Sequence, residues 1–232
     1  MTNTALIVGT GSGISASVAR ALARDGYKVA LASRKPEHFS ELAADIHAHS
    51  FTVDAASPES VSAMFADLDR TFGRLDVVVY NASFRTRGPF VDLVPQDVMR
   101  TLEVTAFGGF LVAREAARRM VARGKGTILF TGASASMKGY AQSAPFAMGK
   151  FALRGLAQSM ARELQPKGVH IAHFNIDGSV RNAARGRAEA AGDTPDSLLD
   201  PDAIAETYLA VIRQPRSAWS TEVELRPWVE HF

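Results

Sequence analysis

The chain has no cysteine. That excludes a disulfide framework and thiolate chemistry, and it fits a reducing compartment. Long apolar runs are missing as well. The opening stretch MTNTALIVGTGSG has no positive n-region and reaches glycine before a span could form. The expectation is a cytoplasmic protein with no membrane partner. Neither sign of charge is in large excess: 26 Lys and Arg stand against 24 Asp and Glu, a net charge of +2. No dense basic stripe is mixed with aromatics, so nucleic acid is not the expected partner. His38, His47, His49, His170, His173 and His231 lack metal spacing such as HExxH, and no metal site is expected. No repeat, low-complexity tract or linker interrupts the chain, so residues 1–232 read as one domain.

What is present is alternation. The runs at 4–9, 28–33, 49–54, 75–82, 126–132 and 169–176 are nearly continuous in Val, Ile, Leu and Phe, as in strands covered on both faces. Helical stretches lie between them, at about 13–25, 37–48, 58–72, 95–123 and 144–165. A helix entered through Asp200 and Pro201 spans 200–214, and a short strand follows at 221–227. Strands alternating with helices give an α/β class with right-handed crossovers, a doubly wound parallel sheet and helices on both faces, in three layers. Residues 178–201 break this rhythm. Rich in small residues and carrying Arg181, Arg185 and Arg187, they read as a lid over the site, or as a solvated surface excursion.

ALIVGTGSGIS puts Gly9, Gly11 and Gly13, with Ser12 and Ile14, between the first strand and the first helix. Glycines there let the backbone turn sharply and approach a pyrophosphate, and the helix N-terminus offers free N–H groups. The second strand ends at Ser33-Arg34-Lys35, where a site for NAD usually has an acid. A carboxylate would repel a 2′-phosphate, whereas Arg and Ser favour it, so NADP is the expected cofactor and NAD the alternative. Asp54 and Ala55 end the third strand. Asp54 either accepts from an adenine amino group or is an exposed turn residue.

Further along, Lys150 follows Phe146 by one helical turn, which puts both on one face. A tyrosine at 146 could move a proton; phenylalanine cannot. With these residues in hand, the chain resembles the short-chain dehydrogenase/reductase family over nearly its full length. VGTGSGIS is similar to the family's TGxxxGxG loop, with Val8 for Thr and Ser15 for the last Gly. VVVYNAS resembles its NNAG motif, with Asn81 and Ala82 matching and Ser83 at the last Gly. Residues 151–171 resemble the stretch after its active-site YxxxK, and Gly178 lies near its Pro-Gly, with Asp177 for Pro.

The resemblance implies a Rossmann-like sheet of about seven strands. It also implies a homodimer or homotetramer built on the helices at 95–123 and 144–165. Gly9, Gly11, Ser12, Gly13, Ile14, Ser33, Arg34, Asp54, Ala55, Asn81, Ala82, Ser83, Lys150 and Gly178 would line the cofactor. In the family a Tyr, a Lys, a Ser and an Asn carry the chemistry. Here Lys150 matches, and the Tyr position falls on Phe146. The Ser position falls on Ala133, with Ser134 one step away as the candidate, and the Asn position falls on Thr105. Tyr140 is a further candidate hydroxyl, or simply a surface aromatic. Phe146 either packs a core or walls a nicotinamide. The leading expectation is an NADP-dependent oxidoreductase of a small carbonyl or alcohol with a non-standard catalytic set. The alternative is an NADP-binding sensor or scaffold with little turnover. Trp228, Val229 and Phe232 are expected to dock on a subunit neighbour or on the chain's own core.

Overall fold

A computed structural model describes residues 2–190 and 193–230. Seven strands, β1 (Thr4–Val8), β2 (Lys28–Ser33), β3 (His49–Thr52), β4 (Val77–Tyr80), β5 (Gly126–Thr131), β6 (Val169–Ile176) and β7 (Glu222–Leu225), form one sheet in the order β3-β2-β1-β4-β5-β6-β7. Every neighbouring pair is parallel. Seven α-helices accompany it among the described residues: α1 (Ile14–Arg24), α2 (Ser40–Asp45), α3 (Pro58–Phe72), α4 (Pro95–Leu102), α5 (Gly108–Arg123), α6 (Ala144–Leu164) and α7 (Pro201–Ile212). This is the doubly wound Rossmann-like α/β fold that the alternation predicts.

The continuous apolar runs have a simple cause. Alternate residues of each central strand feed opposite cores. Leu6 and Val8 pack with Phe65, Val112 and Leu153 on one face of the sheet. Ala5 and Ile7 pack with Val18, Leu22 and Tyr208 on the other. A polar residue on either face of β1 would therefore meet a core, and all five of its residues are buried.

Two helices differ from the sequence expectation. The stretch at 37–48 holds only a short α2, preceded by a 3-10 turn at Pro36–Phe39. The stretch at 95–123 is not one α-helix. A π-helical turn, Glu103–Phe107, joins α4 to α5. There the Gly108 N–H reaches back to the Glu103 carbonyl, and the Val104 carbonyl accepts the buried Tyr80 hydroxyl. A side chain bonding into the ladder is a recognised cause of such widening. Nothing in the local periodicity reveals it, because Tyr80 is distant in sequence. At the other end of the chain, Trp228 is 79% exposed, so it does not dock on the chain's own core. His231 and Phe232 lie outside the described residues.

Candidate functional site

The strand order reverses between β1 and β4, and a cleft of about 640 Å³ opens at the carboxyl ends of these strands. In open parallel sheets this is where the two crossovers diverge and leave a crevice. The glycine loop forms its floor. Gly9 has φ +88°, and a Cβ there would lie 2.3 Å from the Ala82 backbone nitrogen. Glycine is thus required for the ends of β1 and β4 to close on each other. Asn81 locks that approach: its N–H bonds to the Val8 carbonyl and its Nδ2 donates to the Gly9 carbonyl. Gly13, at φ +111°, caps α1, whose first residues, Ile14 and Ser15, line the cleft. Ser15 Oγ closes the loop by bonding both the N–H and the carbonyl of Gly11.

All the residues assigned from sequence to the cofactor line this one cleft, from Ser33 and Arg34 at one end, past Asp54, Ala55 and Asn81–Ser83, to Lys150 and Gly178 at the other. Asp54 also serves its own turn, where its carboxylate accepts from the Ala56 N–H. Arg34 and Lys35 form no ion pair among the described residues, and the Lys35 N–H bonds to Ser33 Oγ, which holds the turn.

The catalytic candidates divide. Phe146 and Lys150 line the cleft, and Lys150 Nζ lies 5.8 Å from the centre of the Phe146 ring. Ser134 and Tyr140 are not among the lining residues. Ala133 is: its backbone is extended, and the chain then tightens into a 3-10 turn, Ser134–Ser136, that carries the next side chain away. Tyr140 is 47% exposed, beside Lys138. Thr105 is fully buried at the centre of the π turn, where its Oγ1 accepts from the Phe84 N–H at 3.4 Å. Sequence reasoning missed Asn182 as a site residue. From the loop after β6, its Nδ2 donates to the Ser12 carbonyl, and a Cβ at Gly13 would meet it at 2.9 Å.

A family model for short chain dehydrogenase matches residues 3–186. The chain belongs to the short-chain dehydrogenase/reductase family. Sorbitol-6-phosphate 2-dehydrogenase of Escherichia coli strain K12 is 31% identical over 217 residues, covering 90% of this chain and 83% of the relative. A short-chain dehydrogenase from Rhodopseudomonas palustris superposes with a TM-score of 0.83 at 34% identity, over 97% of this chain and 99% of the other. An alcohol dehydrogenase from the archaeon Thermococcus sibiricus, complexed with 5-hydroxy-NADP, gives 0.88 at 25% identity, over 100% and 99%. The family is one of oxidoreductases. No described helix is long and apolar enough to cross a membrane, and no described cluster of His, Asp and Glu could hold a metal ion.

For this family member the electrostatics centre on Lys150. It is buried, and Nζ donates to the Thr131 carbonyl at 2.7 Å. Burial pushes the ammonium down from 10.5 to about 8. Behind it, His173 bonds Ser136 Oγ, and burial, followed by the charge of Lys150, pushes its imidazole down to about 4. His173 is therefore neutral at pH 7.

Lys150 thus lowers the stability of the fold that holds it. Between about pH 8 and 10.5 the unfolded chain binds the proton that the folded chain has released, so stability rises with pH across that window. Below pH 8 the cost is complete, roughly 3 kcal/mol at about 1.4 kcal/mol per pH unit. Lys150→Met removes this cost and also loses one buried hydrogen bond, worth about 1 kcal/mol. The net gain of about 2 kcal/mol is expected to make the variant melt roughly 4–8 °C higher than the native chain at pH 7. The advantage should shrink toward pH 10.5. A lower melting temperature at pH 7 would contradict this account.

Proposed function

We propose that this protein is an NADP-preferring oxidoreductase acting on a small carbonyl or alcohol, with Phe146 standing where the family holds its catalytic tyrosine. The observation that carries it is one cleft with unpaired cations, Arg34 and Lys35, at one end and the Phe146–Lys150 pair at the other. The residues present fit a dinucleotide. The glycine loop leaves no room for a Cβ at Gly9, the α1 N-terminus offers donors to a diphosphate, and Arg34 suits a 2′-phosphate. The Thermococcus sibiricus relative, which holds an NADP derivative, supports the same reading.

The dinucleotide, when bound, supplies hydride chemistry; the protein supplies orientation and electrostatics. Lys150 would hold the nicotinamide ribose, and its proton, beside Phe146, is exchangeable near neutral pH. It would serve the carbonyl oxygen directly or through one water. Phe146 forms an apolar wall. A second reading, a cofactor-binding protein with little turnover, is favoured by the absence of a hydroxyl on Phe146 and Ala133. NADPH and NADH titrations, followed by a panel of aldehydes and ketones scored for NADPH oxidation, test both. No NADPH binding removes both readings, and tight binding without turnover leaves the second.

Residues 1–232 are proposed as one domain with a substrate lid at 178–201, of which 191 and 192 lie outside the described residues, and α4–α6 as the oligomer face of a homodimer or homotetramer. Exposed Met99, Phe107, Phe110, Met148 and Phe151 support the latter. Asn182 Nδ2 ties the lid to the Ser12 carbonyl of the glycine loop, while the Val180–Leu199 bridge joins the two ends of the lid to each other. Amide exchange across 180–190 should slow at least several-fold when NADP is added. Full protection already present in the free protein would leave only an irregular packed loop.

A further inference from the structure

Arg85 and Arg87 lie on the loop after β4, and Arg187 on the loop after β6. About a hundred residues apart in sequence, they approach one another near Phe146, which lines the cleft as Arg187 does. The Arg85 guanidinium sits over the Phe146 ring, 4.6 Å from its centre. Arg187 lines the cleft with Phe146 and is held by a two-way backbone bridge to Asn182. The Gly88 N–H bonds to the Gln142 carbonyl, which ties the Arg87 loop to the approach to α6.

None of these three arginines forms an ion pair among the described residues. Several other guanidinium groups find carboxylate partners, including Arg181 with Asp200 in the same loop, Arg154 with Glu222 and Arg119 with Asp69. Burial, and then the like charges of Arg87 and Arg187, pull Arg85 below the usual guanidinium range. Three like charges brought together beside an apolar wall repel one another, and an anion relieves that repulsion while accepting forked hydrogen bonds. Arg34 and Lys35 stand at the opposite end of the cleft. The two cationic groups therefore address different anions.

We infer that Arg85, Arg87 and Arg187 form an anion subsite for the substrate, so that the carbonyl or alcohol carries a phosphate or a carboxylate. This rests on the oxidoreductase reading above, which needs only the opposite end of the cleft and Lys150. Phe146 would then pack the carbon chain between the reacting carbon and the anion.

The test is calorimetric titration of matched pairs, with and without NADP⁺: fructose 6-phosphate against fructose, and succinic semialdehyde against butanal. In at least one pair the anionic member should bind at least tenfold tighter to the native protein. Arg87→Ala and Arg187→Ala should each cut that preference by roughly tenfold to a hundredfold, the range for a hydrogen bond to a charged group. The phosphate and carboxylate arms say which anion is preferred. Equal binding within both pairs overturns the inference, as does a preference that survives Arg87→Ala and Arg187→Ala together. NADPH affinity is measured separately. If it falls by the same factor as anion affinity, the arginines belong to the cofactor and the inference is again overturned. Loss of NADPH binding by the native chain would instead remove the oxidoreductase reading. The titrations without NADP⁺ then judge the anion subsite on its own.

Discussion

Phe146→Tyr is expected to raise NADPH-dependent carbonyl reduction by up to ~10²–10⁴-fold, the range for a restored general acid. The native ring already stands in the right company. It lines the cleft, with Lys150 Nζ 5.8 Å and the Arg85 guanidinium 4.6 Å from its centre. A phenol there would be flanked by two cations, and each favours the phenolate and lowers its pKa. The proton would then leave a group tuned toward neutral pH rather than one near 10. On the proposed reading Ala133 and Thr105 stand at the family's carbonyl-orienting and relay positions, so the gain is expected toward the lower end. Native and variant chains should be compared on one panel of aldehydes and ketones, with phosphate-bearing and carboxylate-bearing members included. A native chain faster on its best substrate would show that another acid already serves the site. Ser136, fully buried but bonded to His173 beneath Ala133, would then join Lys150 as a residue to replace.

Arg34→Asp should reverse the cofactor preference, changing the ratio of NADPH to NADH affinity by roughly 10²- to 10³-fold. Two effects act in the same direction. Losing a charge-assisted contact to the 2′-phosphate costs about 1.5–3 kcal/mol. The new carboxylate then repels that phosphate and accepts from the 2′-hydroxyl of NADH. Arg34 is exposed at the end of β2 and forms no ion pair, so the substitution leaves the fold intact. Fluorescence titration of both nucleotides into both chains provides the ratio. Native protein that binds NADH more tightly than NADPH would sink the NADP assignment. An unchanged ratio in the variant would shift it to Lys35 or Ser33.

Much of this molecule was legible in contiguous residues. Unbroken apolar runs marked β1, β2, β4, β5 and β6 as strands covered on both faces, and their alternation with helices implied the parallel sheet. The glycine loop was legible for a similar reason. Gly9 must be glycine because the backbone of Ala82 occupies the space a Cβ would take, and a constraint of that kind leaves a residue-type signature. Lys150 and Phe146 could be paired in advance because a helix fixes which residues share a face.

What escaped the sequence depends on where distant segments meet. The π turn at Glu103–Phe107 exists beside the hydroxyl of Tyr80, a residue more than twenty positions earlier. Ser134 reads as a site hydroxyl until the 3-10 turn after Ala133 carries it off the cleft, since one residue of turn geometry decides the direction of a side chain. The arginines were visible as letters but not as a group. Arg85 meets Phe146, and Arg187 joins them, only because two loops converge over the carboxyl ends of the strands. Local patterning sets backbone conformation through short-range sterics and burial, while the convergence of loop side chains is set by long-range packing that no short window of sequence contains.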